Sequence, residues 1–335
     1  MMKTLKIGVT VALLGWLAWR TDWPHVAETF AGLQFSLWLA ALGVYGVAQV
    51  LSSLRWQMLS RPLGFEQPLR HFLGFYFIGM FFNLLLPTSV GGDVVRAFYL
   101  ARGNGRRLPA TVSVVVDRLS GLAVLISLAC GAVLFAPMAL PPWVAWSVWL
   151  TTAAMAAGAL FVWLYFLLPA AADRPARRIN RKLAVLQSAM QTLQDALRER
   201  PQLLLYSTAL SVGVQAANIV LVWLVGLAIG ADIPPAYYWI VVPMVSLLQV
   251  VMPSLNGHGV REGGLILFLG EVGVASSVAV SLGFLWFSVM ATAGLCGGLV
   301  YLFGRFPQPE VRANHDEPVG DRARQGRARQ PAAAA

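Results

Sequence analysis

The sequence predicts an all-α polytopic membrane protein, with about six full spans and two shorter, broken, re-entrant hairpins. Three observations carry that expectation. Of 335 residues, 58% are hydrophobic and only 12% are charged, about half the charge of an ordinary soluble domain. The 25 Lys and Arg and 15 Asp and Glu, net +10, fall in clusters between long apolar runs, which excludes a basic soluble nucleic-acid binder. Two of the apolar runs break at proline and glycine before they are long enough to cross a bilayer.

A spanning helix needs about 20 mostly apolar residues. Lys3 and Lys6 stand at the start of the first run, 5–19, and Arg20-Thr21-Asp22-Trp23 follows it without a small-residue cleavage pattern, so it is expected to remain as a span. Further full spans are expected at 35–54, 112–135, 143–168, 203–229 and 276–303. The two short runs are 72–86, ending at Pro87 with Gly91 and Gly92 beyond, and 237–252, ending at Pro253 with Gly257 and Gly259 beyond. Cys130 and Cys296 each lie inside an apolar run, so neither a disulfide framework nor a cysteine metal site is expected. No cofactor is expected either.

Lys and Arg in short loops mark the cytoplasmic side. Lys3 and Lys6, Arg55 to Arg70, Arg102 to Arg107, the cations between Arg174 and Arg200, and those from Arg305 onward therefore read as inside, with both termini cytoplasmic. Segments 136–142 and 230–236 hold no Lys or Arg and read as outside. Parity then constrains the short runs. Segment 72–100 lies between two cationic loops, so it must dip in from the cytoplasm and return. Segment 237–269 must dip in from the opposite face. Non-helical backbone at membrane depth is tolerated only where protein or a polar cavity covers it, so paired hairpins imply an internal site near the midplane.

The two turns match in pattern: Pro87-Thr88-Ser89-Val90-Gly91-Gly92-Asp93-Val94-Val95-Arg96 beside Pro253-Ser254-Leu255-Asn256-Gly257-His258-Gly259-Val260-Arg261-Glu262. Interrupted short segments in corresponding positions suggest an inverted-repeat, transporter-like architecture. Its halves would be about 1–168 and 203–305, joined by an amphipathic helix at 177–198 and followed by a disordered basic tail, 306–335. A helix restarting at Gly92 or Asp93, and another near His258, would aim unpaired N–H groups and a positive dipole end into the interior. That arrangement suits an anion, and Arg96 and Arg261 add planar forks that match phosphate.

Each candidate also has a plainer role. Asp93 caps its half-helix or pairs with Arg96 three positions on. Asp117 and Arg118 form an ion pair at the end of the next span or line the mouth of the cavity. Glu262 is a local partner of Arg261 or a proton-sensitive gate. Asn83 and Asn256 satisfy broken backbone near the turns, and His258 stands open to a titrating role. The 177–198 helix has a basic start suited to an anionic leaflet or to a simple linker, and its apolar stripe also suits pairing with a second copy, a homodimer.

The pattern of Asn83, Leu86-Pro87, Gly91-Gly92-Asp93, Arg96, Asp117-Arg118, then Pro253, Gly257, Gly259 and Arg261-Glu262 resembles the lysylphosphatidylglycerol synthase transmembrane-domain family, also described as flippase-like. The resemblance covers about residues 1–305. It implies a prokaryotic cytoplasmic-membrane protein that handles lipids. In the larger members, the multiple peptide resistance factors, a soluble aminoacyltransferase domain makes lysyl-lipid and the membrane domain is thought to move it. Only 32 residues follow Phe303, so lysyl transfer is not expected here, and the chain is expected not to be an enzyme. The expected partners are membrane lipids, with an anionic, polyprenyl-linked or hopanoid-type substrate, and no nucleic acid. A flippase or scramblase is the leading reading. A secondary transporter of a small anion and a membrane transferase acting on a lipid phosphate are its alternatives, and a non-transporting scaffold is the fourth.

Overall fold

The computed structural model describes residues 24, 31–86, 91–102, 105–135, 141–167, 181–252 and 257–304, which are helices and short connections without a strand. The first expected span at 5–19, the tail at 306–335, and the candidates Pro87, Pro253 and Asn256 lie outside these residues. The helices are α1 (Phe35–Ser60), α2 (Leu69–Leu85), α3 (Gly91–Ala101), α4 (Arg107–Leu134), α5 (Pro142–Leu167), α6 (Arg181–Glu199), α7 (Pro201–Ala228), α8 (Pro235–Val251), α9 (Val260–Gly270) and α10 (Ser276–Phe303). Four of them, α1, α4, α7 and α10, are long and apolar enough to cross a membrane. Each coincides with an expected span, and the expected span at 143–168 lies on the 26-residue α5.

The short runs fold back on themselves. At 17 residues, α2 and α8 are each about 25 Å long, short of a hydrocarbon core of about 30 Å. Their 11-residue partners α3 and α9 run antiparallel beside them. In the first hairpin Phe75 meets Tyr99 with ring centroids 5.5 Å apart, and Asn83 bonds Gly92 across the tip. In the second, the Tyr237 hydroxyl donates to the Phe268 carbonyl at 2.8 Å. Tyr237 is fully buried, so the Tyr237→Phe protein is expected to lose about 1 kcal/mol or more. Thermal unfolding in detergent reads that loss.

Among the described residues, these ten helices contain two sets with nearly the same lengths in the same order: 26, 17, 11 and 28 residues for α1 to α4, and 28, 17, 11 and 28 for α7 to α10. Their packing matches too. α1 packs most extensively on α7, α2 on α10 as α8 does on α4, and α4 on α7 as α10 does on α1. α1 and α7 are antiparallel: the Gln34 N–H donates to the Ala228 carbonyl at one end, and Arg55 donates to Ser211 toward the other. Since α2 follows the C-terminal end of α1 and α8 that of α7, the two hairpins start from opposite ends of the bundle.

Small residues let the parts approach. A Cβ added at Gly297 of α10 would stand 2.0 Å from the Phe77 carbonyl of α2, and Gly294 and Gly298 crowd Leu84 and Phe81 on the same face, a small-residue seam of the kind membrane helices use. The amphipathic α6 spends the described part of its stripe inside the chain. Ala189 and Leu193 are buried, and Met190 and Leu197 half-buried, against a cluster that includes Leu63, Phe65, Leu100 and Ala110. Ala189 and Leu193 are therefore not free for a leaflet or a second copy: helical periodicity shows that a stripe must be covered, while the connection 61–68 and α3 and α4 decide what covers them.

Candidate functional site

The first hairpin closes only because Gly92 lacks a side chain. A Cβ on Gly92 would lie 2.1 Å from the Gly79 carbonyl and 2.7 Å from Asn83. With glycine there, the Asn83 Oδ1 accepts the Gly92 N–H at 2.7 Å, satisfying one of the orphan donors at the start of a helix. α3 starts at Gly91, so Asp93 stands in its first turn and Arg96 in its second.

These two residues join a charge network that no short motif encodes. The Asp117 carboxylate on α4 is fully buried and holds two arginines: its Oδ1 accepts from Arg55 Nε at 2.8 Å and its Oδ2 from Arg96 Nη2 at 3.1 Å. Arg55 also donates to Ser211 Oγ on α7 at 2.9 Å. Arg96 reaches Asp93 Oδ1 at 3.3 Å, and its guanidinium carbon lies 4.2 Å from the Trp56 ring and 3.9 Å from the Tyr76 ring, close enough for cation–π attraction on both. Asp93 completes the set with Arg118, whose Nε and Nη2 donate to its two oxygens at 2.8 and 3.1 Å. The carboxylate of Asp93 is thus spent on two arginines. Arg118 also stands within electrostatic reach of Tyr45, Tyr76 and Asp117, so it sits over the junction of α1 to α4.

Arg55 is a correction to the sequence reading, which put it in a cytoplasmic loop after the second span. The apolar run ends at Leu54, but α1 continues to Ser60. The signal was a polar stripe at helical spacing: Gln49, Ser52, Ser53 and Ser60 are all buried on the face that carries Arg55 and Trp56 inward. Trp56, Tyr76 and Ser211 were missed with it, because each gains its role only from a partner on another helix.

The second hairpin restarts differently. Gly257 and Gly259 have φ of +77° and +79°, conformations that a side chain strains, and α9 begins at Val260. The Glu262 carboxylate accepts the Gly259 N–H at 2.7 Å, the reach-back half of a capping box, and its other oxygen accepts from Arg261 Nη2. The same Nη2 faces His258 Nδ1 at 3.5 Å. The Arg261 side chain is 1% exposed, yet its Nε and Nη1 have no hydrogen-bond partner among the described residues. Phe287 on α10 closes the site, 5.2 Å from the Arg261 guanidinium carbon and 4.4 Å from the His258 ring.

α10 is a wall common to both hairpins. Gly294 faces Leu84, near the tip of the first, and Phe287, seven residues and about 10 Å away along the helix, faces the restart of the second. Among the described residues no three His, Cys, Asp or Glu side chains gather as a metal site would require. Chemically, the two centres offer guanidinium donors and a helix N-terminus, suited to recognising a negative group.

A family model described as the lysylphosphatidylglycerol synthase TM region matches residues 3–298. A UPF0104 membrane protein from Methanothermobacter thermautotrophicus is 25% identical over 271 residues, which cover 72% of this chain and 78% of that protein.

Proposed function

The chain belongs to the lysylphosphatidylglycerol synthase transmembrane-region family, and from that premise we propose that it moves a phosphate-bearing lipid across the cytoplasmic membrane, as a flippase or scramblase. The hairpins dip in from opposite membrane faces, as halves of an inverted repeat. The head group enters between them while the acyl tails stay in the bilayer. The phosphate meets half-helix N-termini and arginine forks, and the protein acts as a translocator, not an enzyme. With no phosphate-binding nucleotide loop in the sequence, movement follows the lipid gradient or a coupled ion.

One observation carries this reading. At the start of α9, Arg261 is buried with two guanidinium nitrogens unpartnered among the described residues. A charged group in that state is costly, and an anion seated on the helix terminus would satisfy it. The helix start and the arginine thus favour the same ligand charge.

The test is transbilayer movement of fluorescent phospholipids in liposomes holding the purified protein. The wild type is expected to move them, and folded Arg261→Gln protein to move them at least about tenfold more slowly, since a hydrogen bond to a charged group is worth about 1.5–3 kcal/mol. Equal rates would remove Arg261 from the site. Uptake of soluble anions without lipid movement would replace the reading with anion transport, and a covalently altered lipid would replace it with transfer chemistry.

A further inference from the structure

The two centres differ in charge. At the second hairpin Arg261 is matched by Glu262. At the first, among the described residues, Arg55, Arg96 and Arg118 face only Asp93 and Asp117, which leaves one positive charge over. Unbalanced charge is expensive inside an apolar chain, and a single negative charge would cancel it.

The three arginines are not equally available. Arg55 and Arg96 have side chains 5% and 3% exposed and are held by the buried Asp117, whereas that of Arg118 is 56% exposed. Arg118 also lies 11 residues into α4, about 16 Å from its start, inside the depth of a hydrocarbon core. Among the described residues its Nε and Nη2 meet only Asp93. Buried beside them, Arg96 Nε has no hydrogen-bond partner among the described residues.

We propose that the Arg118–Asp93 pair is a substrate-displaced latch: a monoanionic phosphodiester takes the Arg118 fork, displaces the Asp93 carboxylate and releases the start of α3 from Arg118, while Arg96 stays on Asp117 of α4. This rests on the lipid-translocation reading and adds the charge of the ligand, its docking arginine and the contact it breaks. Asp93 belongs to α3 and Arg118 to α4, so the pair ties the half-helix to a full-length one. The incoming phosphate oxygens satisfy the same two donors in the same planar geometry. Asp93 keeps its bond to Arg96 and moves with the start of α3. Ligand binding and release of the start of α3 thereby become one event, since the ligand favours only the open pairing.

The consequence for Asp93 separates a latch from a structural ion pair. A displaceable counter-ion competes with the ligand, so removing its charge strengthens ligand binding. A purely structural carboxylate, once neutralised, loosens the site and weakens it.

The experiment is calorimetric titration of the purified, detergent-solubilised full chain with dihexanoyl phosphatidylglycerol, with dihexanoylglycerol as the uncharged analogue and dimethyl phosphate as the headgroup phosphate without tails. Phosphatidylglycerol is expected to bind and dihexanoylglycerol not to bind. Asp93→Asn is expected to bind about threefold tighter or better, and Arg118→Gln about tenfold weaker or worse, with Arg118→Lys between Gln and wild type. Amide exchange over 91–101 is expected to quicken on binding. Dimethyl phosphate binding as tightly as phosphatidylglycerol would overturn the lipid as the source of the phosphate. Weaker binding by folded Asp93→Asn, equal binding of dihexanoylglycerol, or unchanged binding by Arg118→Gln would overturn the latch. If Asp93→Asn does not fold, the Arg118 series and the exchange of 91–101 decide. The expected binding pattern without lipid movement in liposomes would sink translocation and leave the latch standing; lipid movement without the pattern would do the reverse.

Discussion

Asp117→Asn is expected to be the most damaging single substitution in the charged centre. The carboxylate is fully buried and is the one group that holds Arg55 and Arg96 together. An amide of the same shape can still accept a hydrogen bond but cannot offset either guanidinium. The centre would then hold three cations against one anion. Removing one partner of a buried ion pair costs about 3–5 kcal/mol, because the other is left uncompensated, and here two are left. The expected readout is a large drop in unfolding temperature and in the yield of monodisperse protein. Asp195→Asn, on the exposed side of α6, is the control and should fall within about 0.5 kcal/mol of wild type. An Asp117→Asn protein as stable as that control would show that the network contributes no stability.

The second large effect is expected from one methyl group. In Gly92→Ala the new carbon would sit 2.1 Å from the Gly79 carbonyl oxygen, and that neighbour is backbone, so it cannot swing aside. Overpacking costs about 1–3 kcal/mol where side chains can adjust, and more is expected here because α2 and α3 must part. Parting them also breaks the Asn83 bond to the Gly92 N–H and shifts Asp93 and Arg96 away from Asp117. Both stability and lipid movement should therefore fall. Gly263→Ala makes the contrast: its added carbon meets nothing within 4 Å, and within α9 alanine should stabilise by about 0.5–1 kcal/mol. Equal tolerance of alanine at both positions would mean that the hairpin does not need the close approach.

Much of this fold is written locally. Length and hydropathy locate α1, α4, α7 and α10, because a long apolar run has few alternatives to a membrane helix. Proline and glycine mark the breaks after α2 and α8, because they remove donors or allow turns that other residues resist. Antiparallel packing of α1 on α7 is not local, and neither is the matching of helix lengths between the two sets. The candidate site divides in the same way. Asp93 with Arg96, and Arg261 with Glu262, are neighbours in sequence, and their contacts follow from helix spacing. Arg55 with Asp117 joins residues 62 apart, and the hydropathy run that stops at Leu54 hid it by making Arg55 look like the start of a loop. Tyr76 and Trp56 read as ordinary core aromatics until Arg96 is seen between them.

The count of three guanidiniums against two carboxylates also has an electrical side. A centre with one excess positive charge, displaced through part of a polarised membrane, is subject to the voltage, up to about 2.3 kcal/mol per elementary charge for each 100 mV crossed in full. With a monoanion seated on Arg118 the same displacement carries no net charge. Membrane potential would then leave the loaded protein alone and act on the empty one as it resets.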